Sequence, residues 1–373
     1  MIAKLAAPLT VCALVGFLGV SAPRPGQLPV RLTLPKPSLP TPIGVRTVWW
    51  TDASRNDPFV RRRRRELVVT FWYPAASAGR APLSRYMPTG TARVFERTEG
   101  APAGTFHGLR THAFVSAAIA AGRHPVVLFS PAFGLIGSLY TTLLEDLAAH
   151  GFFVVSIDPT YEAFAVQFPG GRVVTRRLAD RPNALQKSLA VRVADARFVL
   201  DRLSILSRRG RFARRLDLRR IGIVGHSMGG ATAANMVLAD SRVRAAADLD
   251  GSILGPVVGH DVTRPVMLLT SDGAYREDPT LQSLWAHLRG PRVRVAVVHS
   301  GHYTFSDLVT ILPQFGPAVP PGLQYEPIGT IPASRALPAV RATVSAFLDR
   351  YIRGRPAPLL DRPSRSFAVL HRF

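Results

Sequence analysis

The sequence predicts an α/β protein built on a mostly parallel, doubly wound sheet. Two buried apolar runs, 126–129 and 152–158, flank a segment, 140–151, whose apolar residues recur at helical spacing. This strand, helix, strand order is a βαβ unit, which implies parallel strands joined by a right-handed crossover. A second strand-to-helix passage follows at 220–239 through a glycine-rich turn. Three further strand-like runs lie at 243–251, 263–270 and 293–298.

The first half of the chain opens the sheet differently. Residues 44–52 and 65–74 are rich in β-branched and aromatic side chains, which predicts an antiparallel hairpin at the start of the sheet. We expect 75–122 to be a long surface connection. Residues 185–203 form a strongly amphipathic helix. Residues 333–353 predict a closing helix that Pro338 kinks or delays. Helices on both faces of the sheet follow from this order.

The N-terminus has the pattern of an export signal. Lys4 precedes a mostly apolar stretch, and Val20-Ser21-Ala22 is typical of a cleavage site. We therefore divide the chain into a signal peptide or N-terminal anchor (1–22), a Pro-rich spacer (23–42) and one catalytic domain (43–373). The predicted location is outside the cell, secreted or attached to the cell envelope.

The composition restricts the possible chemistry and partners. Cys12 is the single cysteine, so no disulfide, Cys-based metal site or Cys nucleophile is available within the catalytic domain. The formal charge is +23, which favours association with an anionic membrane or cell-wall surface. The five consecutive arginines at 61–65 are interpreted as a solvated edge and turn, and no nucleic-acid partner is expected.

The chemistry centres on Gly225-His226-Ser227-Met228-Gly229-Gly230. A serine in G-x-S-x-G between a strand and a helix is typical of a nucleophile elbow, in which a tight turn exposes the hydroxyl. Gly225 and Gly229 remove the Cβ atoms that would collide there. The start of the helix directs unpaired N–H groups at the position of a developing oxyanion.

A serine nucleophile needs a histidine base oriented by an acid. His302 follows the last predicted strand in a glycine-containing loop, and we favour it over His299, which lies at the strand end. His226 is interpreted as structural. Two acids end strands after the elbow, Asp250 and Asp272, and residue spacing leaves both open; Asp248 ranks third because it lies deeper in its strand.

Five segments together resemble the platelet-activating-factor acetylhydrolase group of α/β-hydrolases. They are Phe71-Trp72-Tyr73-Pro74, Leu128-Phe129-Ser130-Pro131-Ala132-Phe133-Gly134, the elbow, Asp248-Leu249-Asp250-Gly251 and Gly301-His302-Tyr303-Thr304-Phe305-Ser306-Asp307. The resemblance implies the α/β-hydrolase fold, with Asp250 as acid and His302 as base. It also implies that the oxyanion hole consists of the backbone N–H groups of Phe133 and Met228. The family pattern commonly has His-Gly where this chain has Pro131-Ala132.

These observations predict an exported serine carboxylesterase that works through an acyl-enzyme without cofactor or metal. By the resemblance, its substrates are short-acyl lipid or phospholipid esters. The alternatives are a secreted polyester or cutin hydrolase, for which Asp272 would be the acid, and a non-catalytic envelope-binding protein on the same fold. We expect residues 313–332 to border an apolar acyl pocket.

Overall fold

A computed structural model describes residues 30–179, 182–324, 326–362 and 365–372; the predicted signal segment lies outside them. One large sheet dominates the described chain. Across it, the strands are β13 (Leu370–Arg372), β12 (Arg292–Val297), β11 (Val266–Ser271), β10 (Val243–Leu249), β9 (Leu216–His226), β5 (His124–Ser130), β6 (Phe153–Asp158), β2 (Arg64–Pro74), β1 (Ile43–Asn56), β4 (Arg110–Val115) and β3 (Leu83–Arg85). A separate small hairpin pairs β7 (Ala165–Gln167) with β8 (Val173–Thr175).

The centre of the sheet is parallel, as predicted. Strands β6, β5, β9, β10, β11 and β12 pair in parallel in that order. The predicted N-terminal hairpin is also present: β1 pairs antiparallel with β2, and β2 joins the parallel strands through antiparallel pairing with β6. The carboxyl ends of the parallel strands therefore meet at one edge, where an open α/β sheet places its site.

The helices cover both faces of the sheet. They are α1 (Thr89–Glu99), α2 (Thr141–Ala149), α3 (Ala184–Leu206), α4 (Met228–Ala239), α5 (Ala274–Glu277), α6 (Pro279–His287), α7 (Leu308–Ile311) and α8 (Ala333–Leu348). Buried side chains of α1, α2 and α8 belong to one large core cluster, and most of those of α3, α4 and α6 belong to a second. Strand β2 shows the division: Val68 and Trp72 face the first cluster, whereas Val69 and Phe71 face the second. The predicted doubly wound α/β-hydrolase fold is confirmed.

The prediction of a long surface connection at 75–122 is wrong. The segment contains β3, α1 and β4, and Phe95 and Phe106 are buried with their ring centroids 4.9 Å apart in an edge-to-face arrangement. These elements are only weakly indicated by the sequence. Helix α1 carries few apolar side chains and β3 and β4 are short, so neither the helical nor the strand repeat of apolar residues is well developed.

Two smaller predictions also need correction. Arg61 to Arg64 are exposed as expected, but Arg65 is fully buried between Asp57 and Asp195. Helix α8 begins at Ala333 and contains Pro338 rather than starting after it. The C-terminal residues, which carry no clear pattern, add β13 as an antiparallel edge strand.

The described part of the Pro-rich segment, from residue 30 to 42, contains no helix or strand but packs on the domain. Leu32 and Leu34 are buried in the first core cluster. The backbone N–H of Ser38 donates to Asp146 Oδ1 at 2.7 Å. Extended backbone is as expected for this composition, but its apolar side chains attach it to the domain. Within the described residues, no helix is long and apolar enough to cross a membrane.

Candidate active site

Ser227 occupies a strained turn between β9 and α4. Its φ of 56° and ψ of −119° lie in a region that a residue with a side chain rarely adopts. A Cβ atom on Gly225 would lie 2.0 Å from the carbonyl oxygen of Gly229, and one on Gly229 would lie 1.9 Å from that of Ser130. The two glycines are therefore required for the close approach predicted from the motif. The N–H of Ser227 donates to Leu249 O at 2.9 Å, which ties the turn to β10.

His302 and Asp250 are hydrogen-bonded partners. His302 Nδ1 lies 2.8 Å from Asp250 Oδ2, and the other carboxylate oxygen of Asp250 accepts the backbone N–H of Ser271 at 2.6 Å. Asp250 directly follows β10 with a φ of 54°, and its own N–H donates to Leu269 O. Asp250 is thus fixed by two hydrogen bonds with the neighbouring strand β11. Its carboxylate faces Nδ1 of His302 and leaves Nε2 as the ring nitrogen that can act on another group.

The ring of His302 packs against the residue that precedes Ser227. The ring centroids of His302 and His226 are 4.6 Å apart. Neither Ser227 Oγ nor His302 Nε2 makes a hydrogen bond with any residue that the structure describes. In unliganded hydrolases this bond is often long and tightens only when substrate is bound.

The competing candidates lie elsewhere. Asp272 Oδ2 accepts the backbone N–H of His299 at 3.0 Å, and the His299 side chain is exposed. Asp248 is fully buried, with Oδ1 accepting the N–H of Gly251 at 2.9 Å. Burial, and then the charge of Asp250, raises the pKa of Asp248 well above its usual value. Asp250 is therefore the acid that the structure brings to His302.

Neither of the two predicted oxyanion donors, the N–H groups of Phe133 and Met228, has an acceptor among the residues that the structure describes. Met228 is the first residue of α4, so its N–H has no partner within the helix. The N–H of Phe133 donates to none of the residues described by the structure. The contact between Gly229 and the Ser130 carbonyl places the Phe133 loop directly against the elbow.

A buried arginine, which sequence reasoning missed, holds the Phe133 loop. Arg192 donates to the carbonyl oxygens of Pro131 and Ala132, the latter at 3.1 Å, and pairs with Glu162 through Nε at 2.8 Å. Glu162 in turn accepts the N–H of Gly134 at 3.3 Å. Arg192 therefore fixes the direction of the Pro131 and Ala132 carbonyl groups, and with them the orientation of the peptides in this loop. The loop is held in this way although it lacks the His-Gly sequence of the family pattern.

A second buried group links this loop to the base. The Tyr140 hydroxyl accepts the N–H of Ala132 at 3.1 Å and lies 2.8 Å from His226 Nδ1, and His226 Nε2 lies 2.9 Å from the carbonyl oxygen of His302. Burial, and then the charge of His302, lowers the pKa of His226 well below its usual value, so the ring is neutral. A carbonyl only accepts, so Nε2 carries the proton and Nδ1 accepts from Tyr140. His226 is therefore structural, as predicted.

A largely apolar cleft that is partly open to solvent lies beside the Phe133 loop. Four aromatic side chains contribute to its walls: Phe95, Phe133, Phe164 and Tyr303. The segment expected to border an acyl pocket, 313–332, contributes Leu323 and Glu326. Helix α1, within the misassigned segment 75–122, contributes Phe95 and Glu99, which sequence reasoning did not connect with the site.

Comparisons with known proteins agree with this architecture. A profile of the family described as platelet-activating factor acetylhydrolase, isoform II, matches residues 198–351. The chain is 25% identical over 390 residues to a probable 1-alkyl-2-acetylglycerophosphocholine esterase of Arthroderma benhamiae, covering 96% of each chain. It is 23% identical over 257 residues to platelet-activating factor acetylhydrolase of Cavia porcellus, covering 62% of this chain and 58% of that protein.

A solved structure is more similar in sequence. Ferulic acid esterase from Streptomyces cinnamoneus is 38% identical to this chain and superposes with a TM-score of 0.80, covering 91% of this chain and 98% of that one. The matched proteins are named as esterases or acetylhydrolases, and they support ester hydrolysis.

Proposed function

Because this chain belongs to the platelet-activating-factor acetylhydrolase-like family of α/β-hydrolases, we propose that it is a serine carboxylesterase whose triad is Ser227, His302 and Asp250. The single observation that carries the proposal is the 2.8 Å bond from His302 to Asp250 beside an elbow serine in a strained conformation. Ester hydrolysis is what the relatives support; the residues that perform it in this chain are our assignment.

The mechanism follows from the positions of these groups. Ser227 Oγ attacks the ester carbonyl while His302 Nε2 accepts its proton, and the same nitrogen then protonates the departing alcohol. Asp250 keeps the imidazole in the correct tautomer and stabilises the imidazolium. The N–H groups of Phe133 and Met228 receive the oxyanion, and each contributes about 3 kcal/mol to transition-state stabilisation. Water, activated by His302, then releases the acyl group from Ser227.

For the substrate, we propose esters with a short acyl group on a lipid-like alcohol, in line with the names of the first two relatives. A second candidate is an ester of an aromatic acid, as in the name of the solved esterase. The aromatic walls of the cleft favour this second candidate, because flat rings pack well against Phe95, Phe133 and Phe164.

The test is hydrolysis of p-nitrophenyl esters from acetate to octanoate by the protein lacking residues 1–22, compared with its Ser227→Ala variant. Removing the serine should lower turnover by up to about a millionfold. Wild-type Ser227 should also react with a fluorophosphonate. Absence of both activity and labelling would instead support a non-catalytic binding protein on this fold.

We further propose that the protein is exported and associates with anionic envelope surfaces. The N-terminal pattern and the formal charge of +23 support this. Fractionation of cells that express the full chain, followed by a salt wash, tests both points. Retention in the cytoplasm would contradict export, and envelope attachment that resists salt would contradict an electrostatic association.

A further inference from the structure

Arg192 on α3 is buried, and each of its five N–H groups has an acceptor. Two of them, one on Nε and one on Nη2, pair the guanidinium with Glu162, the Nε bond at 2.8 Å. The other three reach a single loop: they donate to Ser130 Oγ at 3.0 Å, to the Pro131 carbonyl, and to the Ala132 carbonyl at 3.1 Å. A guanidinium holds its donors in a rigid planar fork, so these bonds fix three successive loop residues relative to α3.

One of these bonds acts directly on a predicted oxyanion donor. The Ala132 carbonyl and the Phe133 N–H belong to the same peptide group, which is trans, so the two bonds point in opposite directions. Arg192 and the N–H of Leu135, at 3.1 Å, both donate to that carbonyl oxygen. The Phe133 N–H therefore faces away from the guanidinium. The Phe133 side chain packs against the small apolar cluster that contains Met228, whose N–H is the second predicted donor.

The loop leaves one N–H group available for this task. Proline has no N–H, which removes Pro131. Three of the remaining N–H groups between 131 and 135 are occupied: that of Ala132 by the Tyr140 hydroxyl, that of Gly134 by Glu162, and that of Leu135 by the Ala132 carbonyl. The N–H of Phe133 has no acceptor within the part of the chain that the structure describes. The hydrogen bonds that hold the loop thus spare a single donor and fix its direction.

We propose that Arg192 is a positioning residue for ester hydrolysis, which sets the Phe133 N–H for the oxyanion by holding the other end of the same peptide. This inference rests on the proposed function and goes further, because it makes turnover depend on a side chain that touches neither the substrate nor the triad. A preorganised donor stabilises the transition state without reorganisation cost, so a loop that loses this anchor should lose that stabilisation.

The experiment uses two variants and a matched control. Arg192→Lys keeps the charge but lacks the fork that reaches both carbonyls. Arg192→Met/Glu162→Met removes both buried charges together, so that neither is left unpaired. Arg65→Lys is the control, because Arg65 is also fully buried and paired with carboxylates, those of Asp57 and Asp195, yet donates to no residue of the Phe133 loop. Urea unfolding verifies that each variant is folded.

Two ketones report on the oxyanion separately from substrate binding. With a trifluoromethyl ketone, Ser227 Oγ adds to the carbonyl carbon, its proton passes to His302 Nε2, and the carbonyl oxygen becomes an oxyanion. A methyl ketone of the same length binds without this addition. In both Arg192 variants, kcat on p-nitrophenyl acetate should fall about 100-fold and the inhibition constant of the trifluoromethyl ketone should rise about 100-fold. KM and the inhibition constant of the methyl ketone should stay within about threefold of wild type, and Arg65→Lys should leave all four quantities within that range.

Every other outcome is informative. Folded Arg192 variants with unchanged kcat and ketone inhibition would overturn the inference and leave the esterase function standing, as would a raised KM with unchanged kcat. Equal losses in Arg65→Lys would also overturn it, in favour of a general effect of buried charge. In wild type, the amide proton signal of Phe133 should move downfield when the trifluoromethyl ketone adduct forms, and an unmoved signal overturns the inference without any variant. Absence of both hydrolysis and fluorophosphonate labelling in wild type would refute the proposed function itself.

Discussion

Replacing Asp250 by asparagine tests the proposed triad through a single proton. In the structure, Oδ1 of Asp250 accepts the backbone N–H of Ser271 at 2.6 Å, while Oδ2 lies 2.8 Å from His302 Nδ1. In Asp250→Asn the amide oxygen stays at the Ser271 N–H, because the amide nitrogen has no acceptor there. The NH₂ group must then face His302 Nδ1 and donate to it. The imidazole is forced to carry its proton on Nε2, where it is unable to accept one from Ser227.

The magnitude follows from this tautomer change. In other Ser-His-Asp hydrolases the same substitution lowers kcat about 10⁴-fold with the geometry intact, which corresponds to about 5.5 kcal/mol of transition-state stabilisation. We expect a similar loss here, measured as kcat on p-nitrophenyl acetate. KM should change much less, because the carboxylate does not touch the substrate. The low-field NMR signal of the His302 Nδ1 proton should disappear in the variant.

Asp272→Asn is the matched control. Among the described residues, the Asp272 carboxylate accepts the backbone N–H of His299 alone, a bond that asparagine preserves through its amide oxygen. Its activity should therefore stay within about threefold of wild type. A large loss in Asp272→Asn with little effect of Asp250→Asn would refute the acid assignment and favour the polyester-hydrolase alternative.

Three further perturbations probe the surroundings of the triad. Gly229→Ala would place a Cβ atom 1.9 Å from the Ser130 carbonyl oxygen; we expect destabilisation of about 1–3 kcal/mol and at least about a 100-fold loss of kcat/KM, and near-normal values of both would contradict the close packing of the elbow. Tyr140→Phe removes the hydroxyl that joins the oxyanion loop to His226; kcat should fall about 10- to 100-fold with KM within about threefold, and an unchanged kcat would mean that this link does not position the site. Asp307→Asn tests a buried carboxyl whose pKa is raised by burial to about 6 from 3.8. Between these values the folded state retains a proton that the unfolded state has lost, so wild-type stability should fall by up to about 3 kcal/mol as the pH rises from about 4 to above 6. The variant should lack this decline in urea unfolding, whereas parallel pH profiles for the two proteins would contradict it.

Much of the fold was predictable because its periodic signals are strong. The parallel strands at the centre of the sheet are buried on both faces and therefore appear as continuous apolar runs, which are recognisable without any tertiary information. The tight turn at Ser227 leaves no room for a Cβ atom at Gly225 or Gly229. Because this requirement arises within a few residues, the two glycines indicated the turn directly from the sequence. Helix α1 was not predicted because it carries few apolar side chains of its own. Its buried residue Phe95 packs against rings from other parts of the chain, Phe106 and Phe164, and the helix sequence gives no sign of these contacts.

The sequence by itself determined the fold class, the strained serine turn and a short set of candidate bases and acids. Their types and their places at strand ends are local properties of the chain. Only the tertiary structure decided which acid meets His302, because Asp250 and Asp272 both end strands at the same edge of the sheet and differ only in how the His302 loop returns over it. The buried groups around the site, above all Arg192 and its carbonyl contacts, likewise depend on pairings across more than fifty residues. Such contacts leave no periodic signal in the sequence, and they exist only once the chain has folded.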